Sequence, residues 1–371
     1  MSSMFRCSLG LGLAALLACS QTPEAPPAVK PDAPETPTAP QKARAPSPFL
    51  KGQLHLHSNA SGDSNTPPEI VAQWYAEHGY DFIVFTDHNR ITNIEVPGEM
   101  LVLPGIELTQ NTEACSPPPE AGMRCLLHVN GLIVDPARAK AIAAQPRPDT
   151  FDRVELYTHA VRVTEQLGGI SMLNHPNFHY AADARVVGLV GRQGLNLLEI
   201  ANEAVDSNNG GDSGHPNTEL LWDDVLASGA RVWGTATDDA HHYHDAEAVR
   251  ARGELAFEGD RGWVMVRSER TGDAIRDALR RGDFYASTGV TLLDVRIENT
   301  VLEVQLATDS PGEHEIRFIG SGGTLLDRKQ GRRAAFDLKD SESRYVRAVV
   351  EDDAGHKAWT QPLFKREGGR S

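Results

Sequence analysis

From Gln53 to about Thr288 the chain alternates short apolar runs with stretches of helical periodicity, and this constrains its fold more than any other feature. A run such as Asp81-Phe82-Ile83-Val84-Phe85 has no polar face, so a strand made from it must be covered on both sides. Intervening helices supply the cover, which implies an α/β fold with a parallel sheet. Further strands are expected at Met100–Leu103, Leu126–Val134, Gly169–Leu173, Leu195–Ile200, Arg231–Gly234 and Trp263–Val266, with helices near Phe151–Leu167, Asn217–Ala227 and Asp273–Arg280. About seven or eight such strands suggest closure into a barrel over residues 50–290. Thr66-Pro67-Pro68-Glu69 has the spacing of a capping box, and Gly79 ends the helix it would open. Past Thr288 the helices stop and period-two alternation takes over, as in Leu293-Asp294-Val295-Arg296-Ile297, so residues 291–365 are expected to form a small antiparallel β-sandwich.

Potential metal ligands recur at the ends of these runs. In an extended Leu54-His55-Leu56-His57, alternation points both imidazoles to one face and both leucines to the other. Downstream follow Asp63, Asp87-His88, Glu107, His128, His175 and Asp239-Ala240-His241, most just after an apolar run, where the mouth of a parallel barrel gathers functional groups. Of the 14 histidines, 12 lie between His55 and His244, which confines the chemistry to the first domain. Imidazole mixed with carboxylate suits two or three divalent transition metals (Zn, Mn or Fe) rather than Ca or Mg. A formal charge of −15 argues against nucleic acid or an anionic membrane surface as partner. A small-molecule ester is the expected substrate.

The first residues read as an export signal: Arg6, an apolar run from Leu9 to Ala18, then Cys19. Leu16-Leu17-Ala18-Cys19 resembles a bacterial lipobox, which implies lipidation of Cys19 and anchoring by that lipid alone in the cell envelope, at the periplasmic face or on the outer membrane. A plain secretory signal is the other reading. Residues 20–49 are rich in Pro and Ala and read as a tether. Cys115 and Cys125 are the only cysteines beyond the signal region, and in an exported protein a pair favours a disulfide over a thiolate metal site.

His55-Leu56-His57-Ser58 with Asp63, Phe85-Thr86-Asp87-His88, Pro104-Gly105-Ile106-Glu107, His128-Val129-Asn130-Gly131-Leu132, Asn174-His175-Pro176 and Thr237-Asp238-Asp239-Ala240-His241 together resemble, in order, the motifs of the PHP (polymerase and histidinol phosphatase) superfamily of metal-dependent hydrolases. Arg261–Val266 and Gly282–Gly289, leading into a β domain, look like the CehA/McbA-type branch. The resemblance implies a distorted (β/α)7-like barrel. It also implies a ligand set: His55, His57, Glu107 and Asp239 for one metal, Glu107 bridging to a second on His128 and His175, and Asp63, His88 and His241 for a third. Asp87, Glu107 and His175 are expected to carry the chemistry around a shared hydroxide. Glu199, Asn202 and His179 are candidates to contact substrate or to position ligands, while His242 and His244 lie beside ligands without an expected role. The segment with Cys115 and Cys125 falls outside the motif set and is expected to shape substrate entry. Phosphoester hydrolysis is the leading expectation, because three divalent metals less their anionic ligands leave a pocket charge of about +2. Carbamate, amide or carboxylic ester hydrolysis is the alternative, and a silent metal-holding surface protein the rival from another class.

Overall fold

A computed structural model describes residues 49–140, 147–308 and 310–365. The expected export signal, Cys19 and almost all of the expected tether lie outside the described residues. Strands β1 (Phe49–Gln53), β2 (Phe82–Val84), β3 (Leu101–Leu103), β4 (Gly105–Thr109), β5 (His128–Leu132), β6 (Ile170–Leu173), β7 (Leu197–Asn202), β8 (Trp233–Thr237), β9 (Trp263–Arg267) and β10 (Phe284–Ser287) alternate irregularly with helices. The helices are α1 (Pro68–Glu77), α2 (Arg153–Gln166), α3 (Ala184–Gly191), α4 (Thr218–Ala227), α5 (Ala246–Ala251) and α6 (Gly272–Arg281). The β region comprises β11 (Leu292–Glu298), β12 (Val301–Leu306), β13 (His314–Ile319), β14 (Leu325–Gln330), β15 (Arg333–Asp337), β16 (Tyr345–Asp352), β17 (Lys357–Thr360) and β18 (Leu363–Phe364). Among the described residues no helix is long and apolar enough to cross a membrane.

The fold is mixed α/β, and it corrects the expectation of a wholly parallel sheet. One sheet runs β4-β5-β6-β7-β8, and a second runs β14-β13-β16-β17-β10-β9-β1-β2-β3. β1, β2 and β3 pair in parallel, as do β6, β7 and β8, but β5 is antiparallel to β4 and β6, and β9 to β1 and β10. The disulfide segment folds β4 back on β5 as a long hairpin, a connection that only antiparallel neighbours allow. Single bridges join Leu56 to Ala240 and His88 to Glu107, so the backbones of the two sheets meet around one mouth. Gly105 is required there: a Cβ would lie 2.5 Å from the Phe85 carbonyl oxygen and 2.9 Å from that of Gly131. Leu54, Leu56, Phe82, Ile83, Met172 and Leu197 are buried behind this mouth and fix the strands that carry it.

Helix α1 forms where expected, but not with the expected cap. Pro67 is the N-cap, extended at φ −59° and ψ 147°, with no side-chain cap bond. A residue preceding proline is held out of the helical region, so Pro68 moves the start past Thr66. Helices α3 and α5 and strand β14 were not expected from the pattern. In the β region, β11-β12-β15 faces the sheet that holds β13, β16 and β17, with Leu302, Val304, Ile316, Phe318 and Val346 buried between them. β17 pairs with β10, so that sheet continues into β9 and β1 without a break.

Candidate metal centre

Strand β1 ends at Gln53, and the chain beyond it stays extended with one bridge at Leu56. Gln53 holds this exit: its Oε1 accepts from the Leu54 and His55 backbones at 2.9 and 3.1 Å, and its Nε2 donates to Asp238 at 2.5 Å. Alternation then works as expected. Leu54 and Leu56 are fully buried, and His55 and His57 converge until their Nε2 atoms are 3.2 Å apart.

The other expected ligands arrive from different elements. Glu107 sits inside β4, His175 follows β6, and Asp239 follows β8. His128 opens its strand instead of following it, because antiparallel β5 brings its N-terminal end to the mouth. Among the described residues three overlapping groups could hold metal ions: His55, His57 and Glu107; Glu107, His128 and His175; and His57, Asp63, His88 and His241. Asp239 Oδ1 lies 3.1 Å from His57 Nε2 and 3.2 Å from His55 Nε2. Glu107 Oε1 is 3.1 Å from His128 Nδ1, and Oε2 is 2.6 Å from His88 Nδ1.

A carboxylate or carbonyl oxygen only accepts, so it fixes which ring nitrogen carries the proton. His55 Nδ1 donates to Glu199 Oε1 at 2.6 Å and His241 Nδ1 to the Asp239 carbonyl at 2.8 Å. His128 Nε2 meets the Asn111 amide oxygen at 2.9 Å, His88 Nδ1 the Thr109 hydroxyl at 2.7 Å and His57 Nδ1 the Ser61 hydroxyl at 2.8 Å. In each case but His88 only the other nitrogen is turned toward the carboxylates; His88 meets them with both, Nδ1 at Glu107 and Nε2 at Asp63 at 2.8 Å. Glu107 Oε2 and His128 Nδ1 are buried, and although His88 and Glu107 stand close to them neither has a neighbour in hydrogen-bonding geometry, which a cation would satisfy.

Electrostatics agree with a site built for positive charge. Burial alone would raise the Glu107 and Asp239 carboxyls, but the imidazoles of His128, His88 and His55 around the first, and of His55, His57 and His241 around the second, hold both well below the usual range. Burial and the neighbouring His241 push His57 down to about 4. Burial also opposes the charged form of His88, yet Glu107 and Asp63 raise it to about 10. His175 and Asp239 have φ of 24° and 51°, left-handed values for residues with side chains. Such backbone costs on the order of 1–3 kcal/mol each and concentrates at functional sites. Here the His175 N–H is held by Glu199 Oε2 at 2.6 Å and the Asp239 N–H by the His55 carbonyl at 3.0 Å.

Two expected residues, Asp87 and His179, take other places. Asp87 is buried with both oxygens engaged, accepting from the Ser58 backbone at 2.7 Å and from the Ser58 and Thr92 hydroxyls. It anchors the loop after His57 and is not among the residues lining the cavity, so a catalytic role finds no geometric support. His179 turns away, its Nδ1 accepting from the Arg124 backbone at 3.1 Å. His244 is exposed, while His242 lines the cavity and caps the Phe257 backbone at 3.1 Å. Glu199 and Asn202 lie against the candidate ligands: Asn202 Nδ2 donates to Glu199 at 2.9 Å and to Asp239 at 3.2 Å. Sequence reading missed Asn174, whose amide donates to Glu107 Oε1 at 2.7 Å, together with Asn111, Thr109 and Ser61. Asn174 precedes His175 directly, and that adjacency was the one signal available.

No family model matches this chain, and no curated protein sequence does. Among solved structures it is similar to a two-domain protein containing a predicted PHP-like metal-dependent phosphoesterase from Bacteroides vulgatus, at 17% identity over 85% of this chain and 95% of that one, with a TM-score of 0.44. It is also similar to an amidohydrolase from Chromobacterium violaceum, at 15% identity over 51% of this chain and 87% of that one, with a TM-score of 0.33. Likenesses this distant leave the chemistry to be read from the site itself.

Proposed function

We propose that this protein is a metal-dependent hydrolase, most readily a phosphoesterase, with His55, His57, Glu107 and Asp239 holding one divalent metal, Glu107, His128 and His175 a second, and Asp63, His88 and His241 a third. One observation carries the reading: His55, His57, His128 and His241 each have one ring nitrogen tied to a hydrogen-bond partner and the other turned toward the carboxylates. That is how proteins hold imidazole for a metal, fixing the tautomer and raising its basicity. Bound metals would lower the pKa of a water and polarise the ester oxygen. Glu107 faces two clusters and would bridge two metals, while Asn174 and Glu199 keep it and His55 oriented.

The bridges at Leu56–Ala240 and His88–Glu107 support reading β1, β2 and β4 to β8 as a distorted (β/α)7-like ring. The Cys115–Cys125 disulfide supports an oxidising compartment, in keeping with an exported, Cys19-lipidated protein.

Elemental analysis combined with a panel of aryl phosphates, carbamates and carboxylates tests the function. Two or three Zn, Mn or Fe per chain and metal-dependent phosphate release are expected. A protein holding three metals that cleaves aryl carbamates and leaves aryl phosphates intact would install the carbamate or ester alternative instead.

A further inference from the structure

The cavity over the candidate metal centre, about 350 Å³, has a polar floor and an apolar wall of Leu126, Phe178, Ala204 and Phe257. Arg124 is its only Lys or Arg, and among the described residues no carboxylate pairs with it. Arg124 is exposed, and a guanidinium without an ion pair beside a cavity is available to a ligand.

The backbone beneath Arg124 is fixed from several directions. The adjacent Cys125 is joined to Cys115, the Thr112 N–H donates to the Cys125 carbonyl at 3.0 Å, and the Arg124 N–H itself donates to His179. On the other arm the Ser116 N–H donates to Phe151 at 2.6 Å, while the buried Arg153 reaches Cys115 Sγ at 3.3 Å. A loop outside the ligand motifs is thus tied at several points, and it brings to the cavity Asn111, one cation and the apolar Leu126. Asp206 also lines the cavity, without an ion pair to Arg124.

We infer that Arg124, held by the disulfide hairpin, is a specificity-determining residue that receives an anionic oxygen of the substrate, and that the substrate is an anionic ester with a compact apolar or aromatic group against Leu126, Phe178 and Phe257. This rests on the hydrolase reading and deepens it. The guanidinium offers paired N–H donors matched to phosphate oxygens, whereas a neutral ester presents no such charge.

The test compares metal-loaded wild type with Arg124→Ala and Arg124→Lys on 4-nitrophenyl phosphate and 4-nitrophenyl acetate, with inorganic phosphate as competitor. Arg124→Ala should raise KM for the phosphate ester and the inhibition constant of inorganic phosphate about tenfold, leave the acetate unchanged, and be partly rescued by Lys. Equal effects on both esters, or none, would overturn the inference. Should wild type cleave neither ester while holding metal, the hydrolase reading fails by itself. Calorimetry of inorganic phosphate binding then decides the role of Arg124, with about tenfold weaker binding by Arg124→Ala supporting it and equal binding overturning it.

Discussion

Glu199 grips His55 through one carboxylate oxygen, at 2.6 Å from Nδ1, and the His175 backbone N–H through the other, at the same distance. The first oxygen also accepts from the Thr237 hydroxyl at 2.7 Å and the second from Asn202 at 2.9 Å. One fully buried carboxylate thereby sets the orientation of two candidate ligands.

Glu199→Gln is isosteric but sets an NH2 against donors that now meet an oxygen. We predict a loss of about 10–100-fold in metal affinity with the fold preserved, the usual effect of removing an outer carboxylate partner. Competition titration with a chromogenic chelator reads it. Unchanged affinity would reduce Glu199 to a packing role.

Glu107→Gln and His88→Ala should differ in how many metals they release. Glu107 faces two clusters, so its variant is expected to deplete both together, whereas His88→Ala should empty only the group with Asp63 and His241. Metal content per chain after supplementation separates the two patterns, and equal losses would contradict the sharing.

A buried ion pair ties α4 to β16: Arg347 donates to both Asp223 oxygens at 2.8 and 2.7 Å, and Tyr345 adds its hydroxyl at 2.8 Å. Asp223→Ala leaves the guanidinium buried without its partner and should cost about 3–5 kcal/mol, measurable by denaturant unfolding. The paired change Asp223→Leu with Arg347→Met removes both charges and should cost less than the single variant. If the two are equally destabilised, the pair is not what holds this junction.

Glu219 gives the junction a pH dependence. Burial alone would raise its carboxyl, but Lys357 at 2.7 Å and Arg347 lower it. A carboxyl with a depressed folded pKa adds stability that is present above its unfolded value near 4.5 and lost as pH falls through the folded one. Glu219→Gln should therefore flatten the acid limb of a stability–pH profile, by up to about 1 kcal/mol for a pair this close to the surface. An unaltered slope between pH 5 and pH 3 would contradict this assignment.

Much of the centre was legible in the sequence because its ligands follow local rules. His55 and His57 share a face through the alternation of an extended chain, and His175 and Asp239 follow apolar runs that became β6 and β8. The apolar runs themselves marked most strands, since burial on both faces leaves no room for polar residues. What stayed hidden depends on contacts between distant parts of the chain. The reversal of β5, which carries His128 to the mouth from the start of its strand, is set by the β4–β5 hairpin and not by any pattern within β5. Asp87 stands beside His88 in sequence, yet Ser58, 29 residues earlier, claims its carboxylate. Asn111, Thr109 and Ser61 are ordinary loop and strand-end residues until folding sets them against imidazoles, and Arg124 is an ordinary surface arginine until the hairpin brings it to the edge of the cavity. Chain-local geometry places a side chain on one side of its strand. Only packing decides what stands opposite, because hydrogen bonds such as that from His55 to Glu199, 144 residues apart, form when both strands are already in place.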